Sequence, residues 1–130
     1  MSTTRRNITT GAPWEDIVGY CRAVQINDTV EISGSVAIDE KGQLVGAGSP
    51  YEQSRFIIQK AQRILEPLGF SLADVVRTRI YVTDISQWEK IGRAHGEFFK
   101  DIKPATSMVQ VCALIGPDYL VEIEFTAIKS

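Results

Sequence analysis

The sequence predicts an α+β domain in two layers, in which two helices cover one face of a mixed β-sheet. Runs of alternating apolar residues indicate strands, and two segments with apolar residues at three- and four-residue spacing indicate amphipathic helices. The predicted order is strand, strand, a short edge strand, helix, strand, helix, strand, strand. A chain of 130 residues with this order is expected to form one domain, residues 1–130, with a sizeable core.

The composition excludes several classes of protein. Hydrophobic residues make up 44% of the chain, and 14 basic side chains stand against 16 acidic ones. A net charge of −2 without a basic stripe argues against a nucleic-acid partner. No run approaches the roughly 20 apolar residues of a membrane span, and the polar N-terminus does not resemble a signal peptide. We therefore expect a cytoplasmic protein that does not bind membranes.

The two cysteines, Cys21 and Cys112, lie in apolar, strand-like runs, so we predict reduced cysteines in the core. The sequence has no Cys/His spacing typical of zinc, no set that would complete a Ser/His/Asp triad, and no glycine-rich phosphate loop. No metal and no cofactor are predicted.

The N-terminal third is expected to form strands. Residues 1–13 are polar and are expected to form a short arm, and residues 17–26 form the first predicted strand, with Tyr20 and Arg22 on one side. Residues 29–38 form the second predicted strand.

Gly34 lies within the second strand and indicates a bulge or a place where another group approaches the backbone; the bulge alone is the simpler interpretation. A turn then leads to residues 43–47, a short predicted edge strand.

The first helix has a clear start and end. Ser49 can cap it, Pro50 suits its first position, and Glu52 is expected to complete a capping box. Pro67 and Gly69 are expected to end it. The predicted buried stripe consists of Ile57, Ile58, Ala61, Ile64, Leu65 and Leu68.

The next strand, residues 75–82, carries Arg77 and Arg79 on one face with Tyr81. These arginines could bind an anion or pair with Glu122 and Glu124; we favour the structural pairing. The opposite face is predicted to hold Val76, Thr78, Ile80 and Val82.

The second helix is predicted to start with a capping box at residues 86–89 and to end near residues 101–104. His95, the only histidine, falls on its apolar stripe, and we favour a packed core histidine over a catalytic one. The stripe consists of Trp88, Ile91, His95 and Phe98 or Phe99.

Residues 103–111 and 119–125 read as two strands joined by a short connection at Gly116-Pro117-Asp118. Alternation places Glu122 and Glu124 on one face of the second of these strands. Two acids on an otherwise apolar strand indicate either a wet or interface sheet face or a functional site. The predicted buried face is Val121, Ile123, Phe125 and Ala127.

The ordered set of motifs is similar to that of the RidA/YjgF family of reactive-intermediate (enamine/imine) deaminases, over nearly the whole chain. The resemblance implies a chorismate-mutase-like fold, a homotrimer, and small-molecule clefts between neighbouring subunits. It rests on Gly19-Tyr20, on Ile32-Ser33-Gly34, on residues 74–84, on Phe98-Phe99, on residues 103–107 (Lys-Pro-Ala-Thr-Ser) and on residues 121–124 (Val-Glu-Ile-Glu).

The resemblance also implies a set of site residues. A glutamate in the closing strand, here Glu122, would position or activate the attacking water. The family's arginine, which pairs with the substrate carboxylate, is replaced by Thr106, and a cysteine two residues on is replaced by Met108. The rest of the implied pocket consists of Tyr20, Ser33 and Gly34.

The missing arginine points to an altered substrate range. Threonine offers one hydroxyl where arginine gives a charged, bidentate grip. Either the ligand lacks that carboxylate or another cation replaces the arginine. Arg22 is the candidate, although a role in a surface or interface ion pair is the simpler interpretation.

We therefore expect a RidA-like hydrolase or deaminase acting on an enamine, an imine or a related metabolite. The alternative is a non-catalytic trimer that binds a small ligand in the cleft between subunits. A ribonuclease activity, which names some relatives, is the weakest hypothesis because the charge balance is acidic.

Overall fold

The computed structural model describes residues 4–130, which form a six-stranded mixed sheet with two long helices on one face. The strand order is β1-β2-β3-β6-β4-β5. Within these residues neighbouring strands pair antiparallel, apart from the parallel pair β4–β5. The predicted two-layer α+β fold is confirmed. The strands are β1 Arg5–Ile8, β2 Ala23–Ile26, β3 Thr29–Ser35, β4 Val75–Val82, β5 Ala105–Gln110 and β6 Val121–Ile128.

Three α-helices accompany the sheet in the described part of the chain: α1 Pro13–Val18, α2 Pro50–Leu65 and α3 Trp88–Phe99. Short 3₁₀ turns lie at Glu66–Leu68, Leu72–Asp74 and Ile85–Gln87. Helices α2 and α3 cover the sheet, whereas α1 is a single short helix between β1 and β2.

Helix α2 begins at the predicted residues but ends at Leu65, slightly before the predicted end at Pro67 and Gly69. The Ser49 hydroxyl accepts a hydrogen bond from the backbone N–H of Glu52 (3.1 Å), and Pro50 occupies the first position. The helix gives way to a 3₁₀ turn after Leu65, and Gly69 follows with a φ of 82°. Within residues 4–130 the Glu52 side chain makes no hydrogen bond back to Ser49, so only half of the predicted capping box forms.

The start of α3 differs from the prediction. Asp84 caps the preceding 3₁₀ turn by accepting from the backbone N–H of Ser86 (3.0 Å), and α3 has no side-chain cap of its own. The predicted capping box at residues 86–89 is therefore wrong. Trp88 is 57% exposed because it stands at the first turn, before the helix reaches the sheet, while Ile91 and Phe99 are buried as predicted.

The core lies between the sheet and the two helices. The predicted buried face of β6 is confirmed, and on β4 three of the four predicted core residues, Thr78, Ile80 and Val82, are buried. Val76 is 43% exposed because a register shift between Val75 and Arg77 turns it outward. The buried residues of β6 are Val121, Ile123, Phe125 and Ala127.

The arginines of β4 do not pair with the acids of β6 as predicted. Arg77 instead donates to the Ser107 hydroxyl on β5 (2.7 Å). Arg79 lies opposite Glu124 in the register, but the Tyr81 hydroxyl is the group that donates to that carboxylate (3.1 Å). Within residues 4–130 no ion pair joins these strands.

The N-terminal predictions need several corrections. Part of the expected arm, Arg5–Ile8, forms β1 and pairs with β2, while residues 1–3 of the arm lie outside the described residues. The predicted strand at residues 17–26 begins only at Ala23, because its first residues end α1. β3 ends at Ser35, and the expected edge strand at residues 43–47 is reduced to a single bridge between Ile38 and Leu44.

β5 and β6, which were predicted to be two strands joined by a short connection, are not adjacent in the sheet. β4 lies between β5 and β6, so the segment at residues 111–120 crosses over a strand instead of closing a hairpin. β5 ends at Gln110, which leaves Cys112 exposed in this crossover, so the prediction of a core cysteine there is wrong. Cys21 is half-buried, and both thiols are free.

None of the helices in residues 4–130 has both the length and the apolar character needed to cross a membrane.

Candidate functional site

The predicted catalytic acid, Glu122, lies against the backbone of β3. The register between β3 and β6 shifts between Ile32 and Ser35, so a bulge falls at Ser33-Gly34, as the glycine predicted. A Cβ on Gly34 would lie only 2.9 Å from the carboxyl carbon of Glu122. The absence of a side chain at Gly34 is therefore what lets this carboxyl group pack against the strand.

Arg22 lies beside the same bulge. Its Nη2 donates to the backbone carbonyl of Gly34 (2.6 Å), and its Nε is buried without a hydrogen-bond partner. The Ser33 hydroxyl donates to the carbonyl of Cys21 (2.7 Å), which ties the segment before β2 to the bulge. These contacts hold the guanidinium close to Glu122.

Tyr20 joins this group from the end of α1. Gly19 ends the helix with a φ of 89°, and the Tyr20 N–H donates to the Glu15 carbonyl (3.0 Å). Tyr20 is 40% exposed and lines the same cleft as Arg22, although the two residues precede β2 and do not share a strand face as predicted.

The environment of Glu122 differs from that of Glu124. Burial raises the pKa of the Glu122 carboxyl above its usual value, the negative charge of Glu124 raises it further, and the Arg22 guanidinium opposes both effects. Glu124 instead accepts a hydrogen bond from the Tyr81 hydroxyl. The raised pKa suits Glu122 to exchange a proton nearer to neutral pH.

Thr106 and Met108 lie elsewhere in the chain. Both belong to β5, the edge strand two positions away from β6, about 10 Å distant by strand spacing alone. Thr106 pairs with Thr78 and Met108 pairs with Ile80, so both side chains point to the helix-covered face of the sheet. The fold thus brings Arg22, Ser33 and Gly34 to Glu122, with Tyr20 in the cleft that Arg22 also lines, whereas Thr106 and Met108 lie apart.

Thr106 takes part in a hydrogen-bond chain that the sequence did not predict. Its hydroxyl lies 2.8 Å from the Thr78 hydroxyl, which lies 3.0 Å from Nε2 of His95. The His95 ring packs on Phe99 with 4.6 Å between ring centroids, and burial lowers the pKa of the imidazole. His95 is packed against Phe99, as predicted, but it is only half-buried and is linked to the strand edge through two hydroxyls.

A cleft of about 750 Å³ extends from Tyr20 and Arg22 between α1, α2 and the segment after β3. Sequence reasoning missed two of its residues, Lys60 and Arg63, which the helical pattern treated as polar positions. Lys60 Nζ donates to the carbonyls of Val36 (3.2 Å) and Ile38 (3.0 Å). Burial, helped by the charges of Arg22 and Arg63, lowers the pKa of Lys60 to about 8.

Residues 4–130 contain no group of three His, Cys, Asp or Glu side chains placed to hold a metal ion. The arrangement instead offers a carboxylate that can accept a proton, a guanidinium beside it and a cleft of small-molecule size. Fold and site together define an α+β protein with a carboxyl group packed at a strand bulge and a cleft of small-molecule size beside it, and Arg22 reaches both.

Comparison with known proteins identifies the family. A family model described as Endoribonuclease L-PSP matches residues 10–129. The structure of Rv2704 from Mycobacterium tuberculosis, described as a member of the YjgF/YER057c/UK114 family, superposes with a TM-score of 0.85 at 42% identity and covers 97% of this chain and 100% of that one. The chain belongs to the YjgF/RidA family.

Two further relatives extend this comparison. The RutC family protein PH0854 of Pyrococcus horikoshii is 33% identical over 110 residues, 85% of this chain and 86% of the relative. The E. coli protein TdcF, whose structure holds bound serine, is 25% identical with a TM-score of 0.77, covering 85% of this chain and 88% of that one. Family membership supports a small-molecule deaminase-like or ligand-binding role.

Proposed function

We propose that this protein is a RidA-like hydrolase that deaminates a small enamine or imine, or acts on a related metabolite, with an altered substrate range. The observation that carries the proposal is the position of Glu122, half-buried against Gly34 and beside the Arg22 guanidinium. A carboxylate with a raised pKa is a stronger base once it is ionised, and a nearby cation can orient a polar substrate.

The chemistry requires one water and one proton carrier. Glu122 takes a proton from water as the hydroxide oxygen adds to the carbon of the C=N bond, and the nitrogen is protonated to give a carbinolamine. Proton transfer back through Glu122 then lets ammonia leave as the carbonyl forms. The sum is an imine plus water giving a carbonyl compound plus ammonia, and Glu122 is regenerated.

Recognition of the substrate is expected to differ from that of relatives with an arginine at the position of Thr106. Loss of a charge-assisted pair in a partly buried cleft costs on the order of 10²-fold in affinity. Arg22 is the cation available near Glu122 in its place. The bound serine in TdcF supports a small amino-acid-like ligand for this fold.

The proposal includes a homotrimer with its sites between subunits. Since Thr106 and Met108 lie at the far sheet edge and on the opposite face from Glu122, they can contribute to its cleft only from another subunit. Tyr20, Ser33 and Gly34 would form the wall on the Glu122 side. We propose a cytoplasmic protein with a small-molecule ligand and no nucleic-acid or membrane partner.

The test is a coupled assay in which 2-aminoacrylate and bulkier imino acids are generated in place and keto-acid release is timed. Glu122→Gln should abolish turnover in an intact assembly, whereas the matched Glu124→Gln should retain it. Undiminished turnover in Glu122→Gln would refute the assigned role.

A Thr106→Arg variant tests substrate recognition in the same assay. If the wild type is inert and this variant gains activity, only carboxylate recognition differs. If both are inert while ligands leave the cleft chemically unchanged, the second candidate, a non-catalytic ligand-binding trimer, replaces the first; the uncharged Thr106 is the observation that favours it.

A further inference from the structure

The cleft beside Tyr20 brings three basic side chains together. Arg22, Lys60 and Arg63 all line it, and their mutual repulsion contributes to the depressed pKa of Lys60. Among residues 4–130, none of the three forms an ion pair with a carboxylate. Like charges gathered at one concave surface are stabilised when an anion binds between them.

The acids that line the cleft are engaged or peripheral. Glu15 accepts hydrogen bonds from the hydroxyl (2.6 Å) and backbone N–H (3.2 Å) of Thr10. Asp39 accepts from two backbone N–H groups of its own turn, each at 2.9 Å, and Glu40 is exposed. The acids therefore close the surrounding loops and do not neutralise the three basic groups through direct pairs.

The remaining wall of the cleft is apolar. Trp14, Phe56 and Ile64 line it, and a volume of about 750 Å³ is within the usual range for small-molecule sites. Within residues 4–130 the Nε of Arg22 is buried without a hydrogen-bond partner, so one donor of this guanidinium is unsatisfied at that end of the cleft. A ligand that fits has an anionic group at one end and an apolar body.

We propose that this cleft binds a small organic anion, a carboxylate or a phosphate ester with an apolar body, whose charged group is held by Lys60, Arg63 and Arg22. The inference goes beyond the proposed hydrolysis, because Lys60, Arg63 and the apolar wall take no part in that reaction; Arg22 is the residue that the two sites share. Lys60 carries its positive charge within the cleft. Arg63 lies at the rim of the cleft and stacks on Phe56, with 5.5 Å between its guanidinium carbon and the ring centroid.

Trp14 provides the readout. It lines the cleft and is 64% exposed, whereas Trp88, the other tryptophan, lies outside the cleft on α3. In a Trp88→Phe background, titration with benzoate and with phenyl phosphate should quench or shift the emission of Trp14 and reach saturation. Uncharged benzamide should bind at least about tenfold more weakly. Whichever anion binds more tightly identifies the preferred anionic group.

Charge variants complete the test. Lys60→Gln and Arg63→Gln should each weaken binding of the better anion by about tenfold, and Lys60→Arg should restore most of it. Lys100→Gln, at an exposed lysine outside the cleft, should bind like the parent. Because Lys60 also bonds two backbone carbonyls, melting temperatures are compared, and Arg63→Gln tests the charge without that contact.

Three results would overturn the proposal: equal affinity for benzamide and benzoate, no saturable response to either anion, or unchanged binding in both Lys60→Gln and Arg63→Gln. Glu122→Gln separates this site from the hydrolytic one. It should bind the anion at least as tightly as the parent even where it abolishes turnover, because it keeps all three basic groups and removes a negative charge near Arg22. A parallel loss of anion binding would contradict the proposed site.

Discussion

Gly34→Ala is predicted to damage the site while leaving the fold almost unchanged. The added Cβ would lie 2.9 Å from Cδ and 3.3 Å from Cγ of Glu122, and still closer to a carboxylate oxygen. Ordinary carbon contacts need about 3.5–4.0 Å, so the carboxyl group has to move by roughly 1 Å. A displacement of that size at a reacting group costs on the order of 10²-fold in rate.

Stability should respond differently from activity. The φ of Gly34 lies outside the left-handed region, and the obstructed group is the end of a flexible side chain. Alanine at such a position also restricts the unfolded chain, so the free energy of unfolding should change by no more than about 1 kcal/mol. The measurements are imine turnover, the pKa of Glu122 by carbon-detected NMR, and urea unfolding.

A matched control is available within α3. A Cβ on Gly92 would meet nothing within 4 Å, so Gly92→Ala should keep activity and gain about 0.5–1 kcal/mol of stability. Full turnover and an unchanged pKa of Glu122 in Gly34→Ala would refute the idea that this glycine positions the carboxylate.

Three further predictions concern the fold. Ile123→Ala, at a fully buried position, should lower the free energy of unfolding by about 2–5 kcal/mol in urea titrations at fixed protein concentration. Ser49→Ala should cost about 1 kcal/mol in the same titrations, because the Glu52 N–H loses its acceptor; no change would mean that water replaces the cap. Burial lowers the pKa of His95 from 6.5, so the folded protein binds this proton less readily than the unfolded chain. The stability it contributes should be lost as the pH falls below about 6.5, and melting scans should show a weaker acid dependence in His95→Gln.

The sequence predicted best those elements that bury one face, because their apolar residues then recur at a regular spacing. β6 has one buried face, so alternation alone identified Val121 through Ala127 as core and placed Glu122 on the other side. The capping residues and apolar stripe of α2 were equally informative. By contrast, β1 is an edge strand of mostly exposed residues such as Arg5, and its pattern carries no hydrophobic signal.

The candidate site was predictable only in part. The glycine in β3 indicated a bulge or a close approach, with the bulge alone as the favoured interpretation; the structure has both, because Glu122 packs against the glycine. Strand order is not encoded locally, however, so the separation of Thr106 from Glu122 by β4 was not visible from the sequence. The contact of Thr106 with Thr78 depends on a parallel pairing between segments that are distant in the chain. Lys60 lines the cleft because the loop after β3 folds back over α2, where the Val36 carbonyl accepts its hydrogen bond.

The position of β6 in the sheet has a consequence for how the chain folds during synthesis. Among residues 4–130, β6 follows the other five strands in sequence, yet it lies between β3 and β4 and alone links the two halves of the sheet. In a nascent chain emerging from the ribosome, β1 can pair with β2, β2 with β3, and β4 with β5 before β6 has been synthesised. The edges of β3 and β4 are then unpaired until β6 is made, and a chaperone or another strand can bind them in that interval.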